Sequence, residues 1–163
     1  MENASISTFL IEKDADTQLI IGHAGFIKSI EDLYEAMASS APGIKFGVAF
    51  NEASGPCLVR SEGNDNSLVK QAERNAMSIG AGHTFVILFK DAFPINVLNS
   101  IKSVPEVARV YCATANDVEV VIAVTGKGRS VIGIVDGSAA KGIESKADKE
   151  KRKKFLRDIG YKL

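Results

Sequence analysis

Cysteine, histidine and tryptophan are scarce in this chain of 163 residues, which has two cysteines, two histidines and no tryptophan. Cys57 and Cys112 lie far apart and belong to no CxxC pair or other zinc-ligand spacing. This spacing excludes the common cysteine-based zinc motifs. It predicts two free thiols in a reducing compartment.

Net charge and long apolar runs are also missing. The 20 lysines and arginines balance the 20 aspartates and glutamates, so no overall field attracts nucleic acid or an anionic membrane. No apolar run approaches the roughly 20 residues that span a bilayer, and residues 1–5 lack the basic and apolar segments of a signal peptide. We therefore expect a cytoplasmic protein whose partners include neither nucleic acid nor membrane.

The length and composition are those of an ordinary globular domain. Hydrophobic residues make up 45% of the chain and charged residues 25%, and neither a repeat nor an interdomain linker is visible. We expect one compact domain over residues 1–163, long enough to bury a sizeable core.

Apolar periodicity and turn residues predict strands that alternate with helices. Strands are predicted over 5–12, 18–21, 44–50, 57–60, a run that begins at 83, and 107–113, 118–124 and 130–135. One helix is predicted to begin at Ser29, a second after Asp65, and a third within residues 91–94. A last charged helix is predicted with Asp148 as its cap. This pattern is typical of an α/β fold with α+β character.

The connections suggest how these elements are arranged. The turn at residues 14–16 predicts a hairpin of the first two strands. The strand at 57–60, the helix after Asp65 and the strand that begins at 83 follow in the order of a crossover unit. The last three strands have only turns between them and predict an antiparallel meander. We therefore expect a mixed sheet with helices packed on it, followed by the meander and the last helix, whose Phe155, Leu156 and Ile159 find an apolar partner.

His83 stands at the entrance of a strongly apolar strand, directly after Gly80-Ala81-Gly82. The glycines allow a sharp turn and leave room for another molecule to approach the backbone. A histidine in this place also suits a plain polar role at a strand end, and local sequence alone favours that role.

Other polar residues also occur where strands end, which is where such sheets usually carry their ligands: Glu52, Arg60, Asn64, Asp65, Asn116 and Asp136. A carboxylate, a guanidinium and an imidazole in one cleft suit phosphoryl chemistry. Gly126-Lys127-Gly128-Arg129 joins two strands without the spacing of a phosphate loop, and we interpret it as a hairpin turn. No metal-ligand or protein-kinase motif is present, so the sequence assigns no metal ligand.

Several short motifs follow one another in order: FIKS at 26–29, PGIKFG at 42–47, EASG at 52–55, LVR at 58–60, GND at 63–65, GAGH at 80–83, AFPINVL at 92–98, CATAN at 112–116 and GIVDG at 133–137. Together they resemble the adenosine-specific kinase family, small proteins found mainly in archaea and some bacteria. The similarity extends from about Leu19 to Leu163 with few gaps.

The resemblance implies a homo-oligomer, a trimer or a hexamer, that binds adenosine, AMP or ATP and is associated with a stable phosphohistidine. It assigns catalysis to His83, as nucleophile or base, and to Arg60, which steadies the transferring phosphoryl group. Nucleotide binding is assigned to Glu52, Ser54, Gly55, Asn64, Asp65, Gly82, Asn116 and Asp136. ATP or another adenine nucleotide is the expected cofactor, and Mg²⁺ is an optional one. Glu52, Asp65 or Asp136 either binds this Mg²⁺ or positions a ribose hydroxyl.

One segment departs from the family pattern. Where the family usually has a histidine, this chain has Gly25, and it has His23 two residues earlier. If the upstream histidine is the one that is phosphorylated in the family, His83 is not the acceptor. Two alternatives to a kinase stay open: a non-catalytic protein that binds or senses adenine nucleotides, and an enzyme that acts on another small phosphorylated metabolite.

Overall fold

The computed structural model describes residues 3–163, which form eight strands and four helices. The strands are β1 (Ser5–Leu10), β2 (Gln18–Ala24), β3 (Lys45–Asn51), β4 (Val59–Gly63), β5 (Thr84–Lys90), β6 (Val107–Thr114), β7 (Val118–Val124) and β8 (Arg129–Asp136). The helices are α1 (Ser29–Ala38), α2 (Asn66–Ile79), α3 (Pro94–Lys102) and α4 (Lys146–Asp158). The predicted series of elements and the α+β fold class are confirmed.

The larger sheet has five strands in the order β4-β3-β5-β2-β6, and every neighbouring pair is antiparallel. The expected mixed sheet is therefore wrong. The crossover itself is confirmed, because β4 and β5 both run antiparallel to β3 and hence parallel to each other, and α2 connects them. A crossover dictates the direction of its two strands but not their adjacency, and here β3 lies between them.

The smaller sheet has three strands in the order β1-β7-β8, again all antiparallel. The predicted turn at residues 14–16 forms, with the Thr17 amide donating to the Asp14 carbonyl at 3.0 Å. The predicted hairpin is wrong, because β1 pairs with β7 while β2 lies between β5 and β6. The last three strands are joined by turns as expected, but only β7 and β8 pair, since β6 joins the larger sheet.

The larger sheet is buried on both faces, which explains why its strands read as continuous apolar runs. One face packs against α2 and the smaller sheet, and the other packs against α1 and α3. Alternate residues of β5 serve the two faces: Val86 and Leu88 the first, and Phe85, Ile87 and Phe89 the second.

The helix ends agree with the sequence at α2 and at the start of α3, where Pro94 lies in the first turn, and they differ at the starts of α1 and α4. Asp65 caps α2 by accepting from the Ser67 and Leu68 amides, and Gly80 ends it in the left-handed conformation. Ser29 was expected to cap α1, but Lys28 holds that position and the Ser29 hydroxyl accepts from the Phe26 amide instead. Ser145, not Asp148, is the N-cap of α4, with Asp148 completing a capping box three residues later.

Helix α4 has no buried residue. The expected apolar partner for Phe155 and Ile159 is incomplete within one chain, because these side chains stay 60% and 46% exposed beside Phe93 and Ile95 of the α3 region. Within residues 3–163, none of the helices combines the length and apolar character needed to cross a bilayer.

Strand register gives the larger sheet two distinct ends. We call one the histidine end, because His83 directly precedes β5 there. It holds Ala24, Asn51, Val59, Thr84 and Val107. We call the other the asparagine end, because Asn64 directly follows β4 there. It holds Gln18, Lys45, Gly63, Lys90 and Thr114.

Candidate functional site

His83 lies at the histidine end in a backbone conformation that is rare for a side-chain-bearing residue, with φ at +64°. Its amide donates to the Asn51 carbonyl at 2.8 Å, and its carbonyl accepts from the Ala24 amide at 3.0 Å. These two bonds tie the residue to β3 and β2 at once. They hold a conformation that costs on the order of 1–3 kcal/mol for a residue other than glycine.

The imidazole of His83 lies between two other rings. It stacks on Phe50 with the ring centroids 6.0 Å apart, and it meets His23 edge-on at 5.7 Å. The fold thus brings together both histidines of the chain, although they are 60 positions apart in sequence. Burial, and then the nearby His83 and Arg109, lower the pKa of His23 below its ordinary value.

Glu52 and Arg60 form an ion pair beside His83, with Oε2 and Nη2 2.8 Å apart. Glu52 Oε1 accepts from the Ala53 amide and the Ser54 hydroxyl, both at 3.0 Å, and Arg60 Nη1 donates to the Ile27 carbonyl at 3.0 Å. Burial by itself raises the pKa of Glu52, but the bonds from Ser54 and Ala53 and the Arg60 charge outweigh it and lower that pKa. The pair is charged at neutral pH and geometrically fixed.

The EASG and GAGH motifs touch each other at this end. A Cβ atom at Gly82 would lie 2.9 Å from the Ala53 Cβ, which is closer than two such carbons approach. Gly55 adopts φ of +57° in the turn that follows Glu52. Six of the residues assigned from the sequence therefore lie in one region: Glu52, Ser54, Gly55, Arg60, Gly82 and His83.

Gly25 lies where the family pattern has a histidine, and it is close to the His83 ring. A Cβ built there would lie 3.8 Å from the Nδ1 atom of His83. His23 contacts the same ring from another side. The chain thus keeps a neighbouring imidazole for His83 although the usual position is a glycine.

Two adjoining cavities open at this end of the molecule, between the larger sheet and the β7–β8 hairpin. The larger, about 530 Å³, is lined by Glu52, Ala53, Val59, Met77, Lys127 and Arg129 among others. The smaller, about 180 Å³, is lined by His23, Arg109, Tyr111, Arg129 and Ser130. Gly82, Arg129 and Ser130 border both, and His83 borders neither.

Asn64 and Asp65 do not join this region, because they lie at the asparagine end. Asn64 Nδ2 donates to the Ile44 carbonyl at 2.8 Å, and its Oδ1 accepts from the Phe46 amide at 2.9 Å. Asp65 caps α2. Both side chains therefore hold backbone groups at the asparagine end.

Asn116 and Asp136 are likewise remote, since Thr114 beside them marks the same asparagine end. Asp136 Oδ1 accepts from the Thr114 hydroxyl and from Asn116 Nδ2, each at 2.9 Å. This cluster ties β6 to β8. The convergence of all the polar strand ends in one cleft, expected from the sequence, is corrected: a strand has two ends, and these residues occupy the other one.

Sequence reasoning left four residues of the histidine end unassigned: His23, Arg109, Lys127 and Arg129. His23 was visible as the family departure. Lys127 and Arg129 belong to the turn that we interpreted as a hairpin, and the hairpin is confirmed by the Thr125 amide donating to the Gly128 carbonyl at 2.8 Å. That it borders a cavity is a consequence of sheet packing, which no local motif reveals.

Mg²⁺ has no cage of protein side chains in this arrangement. Across residues 3–163, no three histidine, cysteine or acidic side chains gather in a way that would hold a metal ion. Glu52, the carboxylate of the EASG motif, already pairs with Arg60 and accepts a hydrogen bond from Ser54. Mg²⁺ commonly binds through substrate phosphates with only one or two carboxylates, so a nucleotide would bring its own main ligands.

Comparisons with known proteins agree with the resemblance read from the motifs. A family model described as adenosine specific kinase matches residues 9–162. The crystal structure of the PH1918 protein from Pyrococcus horikoshii OT3 has a TM-score of 0.96 against this chain, with 48% identity over 99% of both chains. No curated protein matches the chain significantly.

Proposed function

The chain belongs to the adenosine specific kinase family, and we propose that it binds an adenine nucleotide at the histidine end and transfers a phosphoryl group to adenosine or to His83. The observation that carries this proposal is the meeting of the EASG, LVR and GAGH motifs beside a cavity of about 530 Å³. Cavities that enclose ligands of nucleoside size measure about 300–1,000 Å³.

His83 is the proposed acceptor or base. As acceptor, a neutral ring nitrogen attacks the γ-phosphorus with its lone pair, the P–O bond to ADP breaks, and ADP leaves with that electron pair. As base, the ring takes the proton of the adenosine hydroxyl that attacks instead. Stacking on Phe50 and the two backbone bonds of His83 fix the ring for either role.

Arg60 is the proposed electrostatic partner of the transferring group. A guanidinium carries five N–H donors, and the bonds to Glu52 and Ile27 use only part of them. Glu52 orients Arg60 and keeps it in place before a ligand arrives. Such preorganised charge is the main device by which proteins stabilise a phosphoryl-transfer transition state.

A non-catalytic adenine-nucleotide binder is the second candidate. One observation favours it: His83 borders neither cavity, so the nucleotide must bind partly outside them for transfer to this ring. This candidate predicts that AMP or ATP raises the melting temperature according to mass action while no product forms.

The test is incubation with γ-labelled ATP and Mg²⁺, with and without adenosine, followed by separation of labelled AMP and labelled protein. We expect AMP formation, protein label that is labile to acid and stable to base, or both. The protein label should disappear in His83→Ala and persist in the matched variant His23→Ala. Undiminished label in His83→Ala would assign the acceptor elsewhere, and binding without any product would support the second candidate.

We also propose that the chain works as a homo-oligomer, a trimer or a hexamer. Exposed apolar side chains of α4 and of the α3 region border a groove of about 680 Å³: Phe93, Ile95, Phe155 and Ile159. Contiguous exposed apolar surface of this kind marks interaction sites. Light scattering should give three or six times the 17.4 kDa chain mass, and a monomer at micromolar concentration would contradict the proposal.

A further inference from the structure

Three basic side chains near the histidine end have no acidic partner. Arg109 of β6, Lys127 of the β7–β8 turn and Arg129 of β8 form no ion pair with any carboxylate in residues 3–163. In contrast, Lys28 at the start of α1, Arg60 of β4 and Lys90 at the end of β5 are all paired. Unpaired cations gathered around one cleft favour an anion, because they repel one another until a negative charge arrives.

These cations come from both sheets and meet at the two cavities. Arg109 borders the smaller cavity, Lys127 the larger, and Arg129 both. His23 and Ser130 add further hydrogen-bonding groups to the wall of the smaller cavity. We use the name cationic cleft for the region bounded by His23, Arg109, Lys127 and Arg129.

We propose that the phosphate groups of the nucleotide bind in the smaller cavity and contact the basic side chains of the cationic cleft, while the nucleoside occupies the larger cavity. The nucleoside part of this assignment rests on the proposed function. The division follows from size and charge. The larger cavity falls within the range for ligands of nucleoside size and has apolar walls at Ala53, Val59 and Met77, whereas the smaller one, at about 180 Å³, is below that range.

The arginines of the cleft are held in place before binding. Arg129 Nη1 donates to the Ser78 carbonyl at 2.9 Å, and the Arg109 guanidinium lies 6.0 Å from the centroid of the Tyr111 ring. A guanidinium that is already oriented loses less conformational entropy when it forms a bidentate bond with a phosphate. Gly82 borders both cavities, and a side chain there would collide with Ala53.

His23 supplies an independent reporter of the bound anion. Burial, His83 and Arg109 lower its pKa in the free protein. A phosphate group in the smaller cavity favours the charged imidazolium, so binding should raise the pKa of His23. An NMR titration of the His23 ring with and without ligand measures this change directly.

The binding experiment uses calorimetry with adenosine, AMP, ATP and inorganic tripolyphosphate on the full chain. The variants are Arg109→Ala, Arg129→Ala and Arg129→Lys, with Arg74→Ala as the matched control, since Arg74 is an exposed arginine of α2 paired with Glu12. Arg109→Ala removes no hydrogen bond and should fold normally, which circular dichroism checks.

We expect tripolyphosphate and ATP to bind at least about tenfold more weakly to Arg109→Ala and Arg129→Ala, with adenosine unaffected. Arg129→Lys should recover part of the loss, and Arg74→Ala should match the unaltered chain. The affinity for tripolyphosphate should fall steeply with salt.

The outcomes separate this inference from the proposed function. Unchanged tripolyphosphate and ATP binding in both arginine variants, or ATP binding no tighter than adenosine, would overturn the cleft while leaving adenosine binding intact. If tripolyphosphate binds and is lost in the variants but adenosine never binds, the cleft stands and the proposed function fails. An unchanged pKa of His23 on binding would also count against the cleft.

Discussion

At the histidine end of the larger sheet, Glu52 forms an ion pair with Arg60 and borders a cavity, whereas at the asparagine end Asn64 and Asp65 bond backbone groups. Asn64 bonds Ile44 and Phe46, and Asp65 caps α2. His83, by contrast, adopts φ of +64°, and its ring stacks on Phe50 and meets His23 edge-on. Strain at a residue that caps nothing is typical of a functional position. Polar residues thus hold backbone groups at one end, and we propose that they form a site at the other.

The comparison predicts that variants at the two ends have opposite effects, and the largest loss of stability is expected at Asn64. Asn64→Ala removes two side-chain bonds to backbone groups, so the free energy of unfolding should fall by about 2 kcal/mol. Urea unfolding measures this, with Asn66→Ala as the control. The increase in melting temperature caused by an adenine nucleotide should persist, and its loss would mean that the asparagine end also serves the ligand.

His83 tests the strain at the opposite end. His83→Gly relieves the left-handed conformation, whereas His83→Val places a β-branched residue there, so the valine variant should be less stable by about 1–2 kcal/mol. Both should lose the protein label. Equal unfolding free energies of the two variants would show that the backbone at this position is not strained.

Asp65 tests the asparagine end by a single cap. Asp65→Ala leaves the Ser67 and Leu68 amides without their side-chain acceptor, which should cost about 1 kcal/mol. Asp65→Asn should recover most of it, because an asparagine oxygen caps equally well. Nucleotide affinity should be the same in all three proteins, and a weakened affinity would restore Asp65 to the site.

The smallest effect is expected in the pH dependence at Glu52. Its pKa is lower in the folded chain than its ordinary value, so the stability it contributes is present above that ordinary value, about 4.3, and is lost as the pH falls through the folded pKa. Glu52→Gln should therefore approach the unaltered chain in melting temperature as the pH drops. Glu62→Gln, on the neighbouring strand β4, controls for net charge, and a constant gap between Glu52→Gln and the unaltered chain at every pH would refute the role of the ion pair.

The sequence predicted the elements well because their signals are local. Asp65 and Gly80 mark both ends of α2, and an apolar run marks β5. Pairing was harder. The turn at residues 14–16 forms as predicted, and Lys90 pairs with the carboxylates of Asp14 and Asp16 at 3.2 and 3.0 Å. However, β2 does not pair with β1, because β2 belongs to the larger sheet. No local signal distinguishes a hairpin turn from a turn between two sheets.

The candidate site divides in the same way. The EASG and GAGH motifs identified Glu52 and His83, since their glycines and charges are unusual at strand ends. Arg109 carries no such signal, and the segment with Lys127 and Arg129 was interpreted as a plain hairpin turn. These residues border the cavities because the β7–β8 hairpin packs over the end of the larger sheet.

The sequence alone therefore determined the series of strands and helices, the glycine that ends α2 and the family, because each depends on residues close together in the chain or in a fixed order. The tertiary structure decided which end of the sheet each polar residue occupies and that His23 meets His83. It also places around one cleft three cations that form no ion pair within residues 3–163. These facts depend on strand order and register, which are set by the long-range packing of buried faces. The apolar pattern of the sequence is compatible with many strand pairings, so it does not select one of them.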